Sequence, residues 1–115
     1  MGKTKTIPWD IQDHLKTPEE RAGFLEAVLE LALENADAGL VAAALGDIAK
    51  AKGMTQVAQE SGLARESLYR ALSRDGNPEL ATFLKVIRAL GIRLQAVPVE
   101  DARVIRMVRD ARAES

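Results

Sequence analysis

Cysteine is absent from the chain, which excludes a disulfide frame and thiol chemistry and fits a reducing compartment, read here as the cytoplasm. Aromatic residues are scarce at 3%, so a core must be assembled from Ala, Leu, Val and Ile. Histidine occurs once, as His14, with no carboxylate pair at ligand spacing beside it, and it reads as structural or solvated. Asp10 and Asp13 lack a third ligand. Gly53, Gly62, Gly76 and Gly91 are punctuation between helical segments and do not form a phosphate loop. Ser61, Ser67 and Ser73 have no base beside them in sequence. No apolar run approaches a membrane span, and the N-terminus has no signal-like apolar stretch. These absences disfavour an enzyme, a metalloprotein and a membrane protein, and no cofactor is expected.

What is present suits one domain of 115 residues, with 47% hydrophobic and 29% charged residues. The net charge of −1 hides a segregation of sign. Residues 1–48 carry four basic and nine acidic groups, residues 49–93 eight and four, and residues 94–115 four of each. A basic middle beside an acidic N-terminal part is the distribution expected of a phosphate-facing module joined to a surface for a basic partner. Solvated acidic helix faces are the plainer alternative for the second half of that statement.

Helical periodicity dominates the chain. Residues 1–8 read as a lead-in, and Trp9 to Leu15 as a short helical turn with Trp9 anchored on the core. Thr17-Pro18-Glu19-Glu20 is a helix start, in which Thr17 caps, Pro18 takes the first position and Glu20 closes a capping box. Ala22, Leu25, Val28, Leu29, Ala32 and Leu33 then define an apolar face, interrupted at Asn35 to Gly39. Leu40, Val41, Ala44, Leu45 and Ile48 mark the next helix, ending near Gly53. Asn77-Pro78-Glu79 predicts a further start, with Asn77 as cap, followed by a buried stripe of Leu80, Phe83, Leu84, Ile87 and Leu90. Ile92 to Val97 alternates in the manner of a short strand, and a lone strand needs a second copy or a partner. Glu100 to Arg112 predicts an amphipathic tail helix, with Val104, Ile105, Val108 and Ala111 on one arc.

The stretch Met54 to Leu72, MTQVAQESGLARESLYRAL, carries the functional signal. It predicts a supporting helix from Thr55 to Ser61 and a second helix from Arg65 to Leu72. Ala58, Gly62 and Leu68 fall where a DNA-binding helix-turn-helix needs a small residue, a positive-φ glycine and an apolar residue. The spacing also suits an ordinary αα-hairpin. On the DNA reading, Arg65 and Arg70 are the base readers, since a guanidinium binds guanine O6 and N7 bidentately. Glu66 either accepts from cytosine N4 or orients Arg70 through an i to i+4 ion pair. Thr55, Gln56, Ser67, Tyr69 and Arg74 are phosphate candidates, and Tyr69 can equally lie on the core edge. Ala64 cannot cap the second helix, at a cost of about 1 kcal/mol.

Several motifs in order resemble one family across about residues 8 to 97. They are Trp9-Asp10, Leu15-Lys16-Thr17-Pro18-Glu19, Ala42-Ala43-Ala44-Leu45-Gly46-Asp47-Ile48-Ala49, Arg65-Glu66-Ser67-Leu68-Tyr69, Leu72-Ser73 to Gly76-Asn77-Pro78, and Leu84-Lys85-Val86-Ile87-Arg88-Ala89-Leu90-Gly91. The sequence resembles the antidote proteins of prophage-type addiction modules, small Xre-like helix-turn-helix proteins of the Cro and lambda-repressor group whose partners resemble RelE-type toxins. Ala64 departs from the family's usual Ser or Thr cap, the segment Leu29 to Ala38 is a few residues longer, and the tail after Val97 lies outside the shared pattern. The resemblance implies an all-α fold: a Cro/lambda-repressor-like five-helix domain over residues 39–97, an extra N-terminal helix within 1–38, a short terminal strand, and a tail helix in 98–115. It implies a non-enzymatic, homodimeric antitoxin that represses its own operon at a palindromic operator and neutralises a RelE-like ribonuclease toxin. A stand-alone prophage regulator and a pure protein-interaction module are the alternatives.

Overall fold

Residues 10–99 are described by the computed structural model. Trp9, the lead-in and the expected tail helix from Glu100 to Arg112 lie outside the described residues. A 3₁₀ turn, Ile11–His14, precedes five α-helices: α1 (Pro18–Asn35), α2 (Ala38–Lys52), α3 (Met54–Ser61), α4 (Arg65–Ala71) and α5 (Leu80–Ala89). The all-α expectation holds for these residues. None of the helices is long and apolar enough to cross a membrane.

The start of α1 follows from its first residues. Thr17 accepts from the Glu20 backbone N–H at 3.1 Å, and the Glu20 carboxylate accepts in return from the Thr17 N–H at 3.1 Å. A further bond from the Lys16 N–H joins these in holding the Glu20 carboxyl below its usual range. Only Leu25, Val28 and Ala32 of the expected α1 face are buried, with Leu29 partly so. Ala22 and Leu33 are exposed, Leu33 by 82%. The helix stops at Ala36, which adopts left-handed backbone at φ 52°, and Asp37 immediately caps α2 by accepting from the Leu40 N–H. The break is therefore two residues, shorter than the predicted Asn35 to Gly39.

Helix α2 is the central element, packed against α1, α3 and α4. Leu45, Ile48 and Ala49 are fully buried in a core completed by Leu15, Leu25, Val57, Leu68 and Val86. Each large aliphatic side chain so buried contributes roughly 1.5–3 kcal/mol. Gly46 sits in this helix because the Leu72 backbone passes over it, and a Cβ there would meet the Leu72 carbonyl oxygen.

Two expectations about the C-terminal part are corrected. Helix α5 begins at Leu80 with Glu79 as its N-cap residue and no side-chain cap, not at Asn77-Pro78. Pro78 lies before the helix and lines an apolar groove with Leu29 and Phe83, and Glu79 still has extended backbone. The buried stripe of α5 is Val86, Ile87 and Ala89, continued by Leu90, with Phe83 packed at its edge. Leu80 and Leu84 are 71% and 54% exposed. The second correction concerns Ile92 to Val97. No strand is assigned there, because among the described residues the segment has no ladder to join. The expected five-helix domain accordingly has four helices, α2 to α5, between residues 39 and 97.

Candidate nucleic-acid interface

Helices α3 and α4 meet through the turn Gly62-Leu63-Ala64. Gly62 adopts φ 78°, left-handed backbone that a residue with a Cβ occupies only at a cost of about 1 kcal/mol or more. The Gly62 and Leu63 N–H groups both donate to the Ala58 carbonyl, closing α3. Ala58 is 8% exposed and Leu68 is fully buried, so a small residue and an apolar anchor hold α4 close to the body. Ala71 is partly buried against the core, and the other α4 residues are exposed.

All eight residues singled out from the sequence, Thr55, Gln56, Arg65, Glu66, Ser67, Tyr69, Arg70 and Arg74, are exposed. Their states differ. Arg65 lies along the helix over Tyr69, its guanidinium carbon 5.6 Å from the ring centroid and Nη2 donating to the Tyr69 hydroxyl at 3.2 Å. Tyr69 is thus both on the core edge, where it lines a cleft with Met54 and Leu72, and in contact with a candidate base reader. Glu66 and Arg70 do not form an ion pair with each other; the salt bridges among the described residues are Lys52–Glu60 and Arg74–Asp37. Arg70 is left exposed, with its charge directed to solvent. Ser67 lies between them on the exposed turn.

The phosphate candidates are partly engaged within the chain. The Gln56 amide donates to Glu60 at 3.1 Å, and Glu60 also accepts from Lys52 at 3.2 Å. Those two donors, Gln56 first, hold the Glu60 carboxyl below its usual range. Arg74 is held by Asp37 across 37 positions of sequence, with Nη1 to Oδ1 at 3.0 Å and Nη2 to Oδ2 at 2.8 Å. Arg74, followed by the Leu40 N–H, depresses the Asp37 carboxyl. Neither α3 nor α4 has a side-chain cap, so first-turn N–H groups of both helices lack a local side-chain acceptor.

Sequence reasoning missed the cleft of about 260 Å³ between α2 and the end of α4. Lys50, Ser73 and Asp47 line it together with Tyr69 and Arg74. Partial burial pushes the Asp47 carboxyl up, opposed by Lys50. The Lys50 charge was visible in the sequence, but its side of α2 was not assignable before α4 was placed. Among the described residues no three His, Cys, Asp or Glu side chains stand close enough to hold a metal ion. The exposed residues of α3 and α4 thus supply guanidinium groups and hydroxyls, beside helix starts that have no side-chain cap.

Comparison with known proteins gives the family. The family described as probable addiction module antidote protein matches residues 5–98. An uncharacterised protein of Haemophilus influenzae is 42% identical over 87 residues, which is 76% of this chain and 86% of that relative. No solved structure matches.

Proposed function

The chain belongs to the family of probable addiction module antidote proteins, and on that premise we propose that it is a DNA-binding antitoxin that represses its own operon. An antidote implies a toxin as partner, and we infer a RelE-like ribonuclease, bound in the cytoplasm by a homodimeric repressor. The observation that carries the DNA half is the surface of α4. Leu68 is its one buried residue, and Arg65 and Arg70 sit on the exposed side with no acid paired to either. In a Cro-like helix-turn-helix, α3 supports and α4 enters the major groove. Arg65 and Arg70 then read bases, with Glu66 free to meet a cytosine, while Thr55, Gln56, Ser67, Tyr69 and Arg74 fix the phosphates. No catalytic role is proposed.

A DNA-bound repressor needs a second surface for its toxin. The outer side of α1 supplies it, with Glu19, Glu26 and Glu30 exposed and acidic. A ribonuclease must itself attract phosphate, so charge contrast with this row would speed association and make it salt-sensitive. Phe24 of α1 is partly buried against the core and offers a partner only its edge.

The deciding experiment is an anisotropy titration against the DNA upstream of the chain's own operon. Arg65→Ala and Arg70→Ala should each cost about 1–3 kcal/mol at the cognate site, with less loss on scrambled DNA. Binding unchanged in both variants would remove α4 as the reading helix. For the toxin, Glu26→Lys with Glu30→Lys should slow association with the product of the adjacent reading frame, and an unaltered rate would move its surface elsewhere.

A further inference from the structure

An apolar groove of about 320 Å³ opens where the C-terminal half of α1, the start of α2 and the start of α5 meet. Leu29, Val41 and Phe83 form its floor and Pro78 and Leu80 part of its wall. Leu33, one turn beyond Leu29 on α1, and Leu84, one turn beyond Leu80 on α5, extend the same apolar surface. Leu33, Leu80 and Leu84 are 82%, 71% and 54% exposed, a concentration of bare leucine that the described residues leave without cover.

A second bare set lies on the segment that leaves α5. After Gly91 the chain passes beside Pro18 and Ala22, and residues 92–95 then line a crevice with Leu25 and Leu29. This arm therefore travels along α1 in the direction of the groove. Its apolar side chains stay largely bare, with Leu94, Val97 and Val99 at 42%, 69% and 69% exposed. Its alternating pattern is that of a strand, yet no strand forms in the isolated chain.

We propose that the groove and the arm are the two halves of one interface, and that the occupant of the groove is the arm of a second copy of this chain. The proposal rests on the homodimer reading above and assigns its surface. A two-fold axis brings arm to groove twice, as an isologous contact requires. It also supplies the missing ladder partner, since the two arms can pair across the axis. Charge agrees: Glu34 is exposed beside Leu33, whereas the arm carries Arg93. Such a dimer would leave α4 of each copy outside the interface, as binding to two half-sites demands.

The cysteine-free chain makes the test direct. Leu33→Cys and Val97→Cys are prepared as separate full-length proteins, one of them tagged, then mixed and oxidised. A covalent heterodimer on a non-reducing gel is expected. In parallel, Leu80→Glu, at an exposed position whose fold is checked by helical circular dichroism, should weaken dimerisation at least about tenfold by light scattering across a concentration series. If the double variant Leu33→Cys with Val97→Cys instead closes within one chain and the mixture gives no heterodimer, the arm fills its own groove and the proposal fails. Wild-type dimerisation in Leu80→Glu would place the interface elsewhere while leaving the homodimer intact. A dimer unaffected by Leu80→Glu alongside lost toxin binding would assign the groove to the toxin. A wild-type chain that stays monomeric at every concentration would overturn the homodimer reading itself.

Discussion

Arg74 and Asp37 form a two-pronged ion pair that ties the loop after α4 to the junction between α1 and α2. Asp37 simultaneously caps α2 through the Leu40 N–H. One carboxylate therefore positions both the start of the central helix and the end of the candidate reading unit. Gly39 is part of the arrangement, since a Cβ at that position would meet the Arg74 guanidinium and carbonyl.

The pair makes stability acid-sensitive. Asp37 has its folded-state pKa lowered, so its contribution is fully present above the unfolded-state value, near 3.9 for an ordinary Asp, and is lost as pH falls through the lower folded value. Glu20 and Glu60 shift in the same direction. Asp37→Asn keeps an N-cap oxygen but loses the charge. It should lower Tm at pH 7, and the gap to wild type should close as pH drops below about 4. Thermal melts from pH 3 to 7 check this; a gap that is constant across the series would show that the ion pair is not its source.

Gly46→Ala should destabilise the fold by about 1–3 kcal/mol, because the new Cβ would press on the Leu72 carbonyl. At an open helical site the same substitution would stabilise by up to about 1 kcal/mol. Urea denaturation separates the two by sign.

Ala64→Ser should stabilise α4 by about 0.5–2 kcal/mol, since the N-cap position has extended backbone and lacks a side-chain acceptor. Slower amide exchange in residues 65–68 is the expected signature. Unchanged exchange together with unchanged stability would mean that the uncapped turn does not fray.

Tyr69→Phe should keep the ring under Arg65 but remove the hydroxyl that the guanidinium donates to, and Tyr69→Ala should remove both. If Tyr69 steadies Arg65 for reading, discrimination between cognate and scrambled DNA should fall in the order wild type, Phe, Ala. Competition anisotropy measures that order. An equal fall in affinity for both DNAs would assign Tyr69 to a phosphate instead.

Much of the fold was legible because its causes are local. The capping box of Thr17 and Glu20, the positive-φ turn at Gly62 and the burial of Leu68 depend on residues within a few positions of one another, and each appears where the sequence places it. The candidate interface was legible for the same reason: a seven-residue helix with one buried position leaves most of the others exposed. Tertiary structure decided what locality cannot. Helical spacing puts Leu33, Leu80 and Leu84 on plausible core faces, but whether a face is covered depends on which helix arrives opposite it, and none of the described helices does. The start of α5 moved to Leu80 because Pro78 settles on α1 and α2 instead of opening the helix. Arg74 acquired its partner from a residue 37 positions away, a distance over which no periodicity carries information. The alternation of Ile92 to Val97 encodes a tendency, and a strand exists only where another backbone is present to accept its hydrogen bonds.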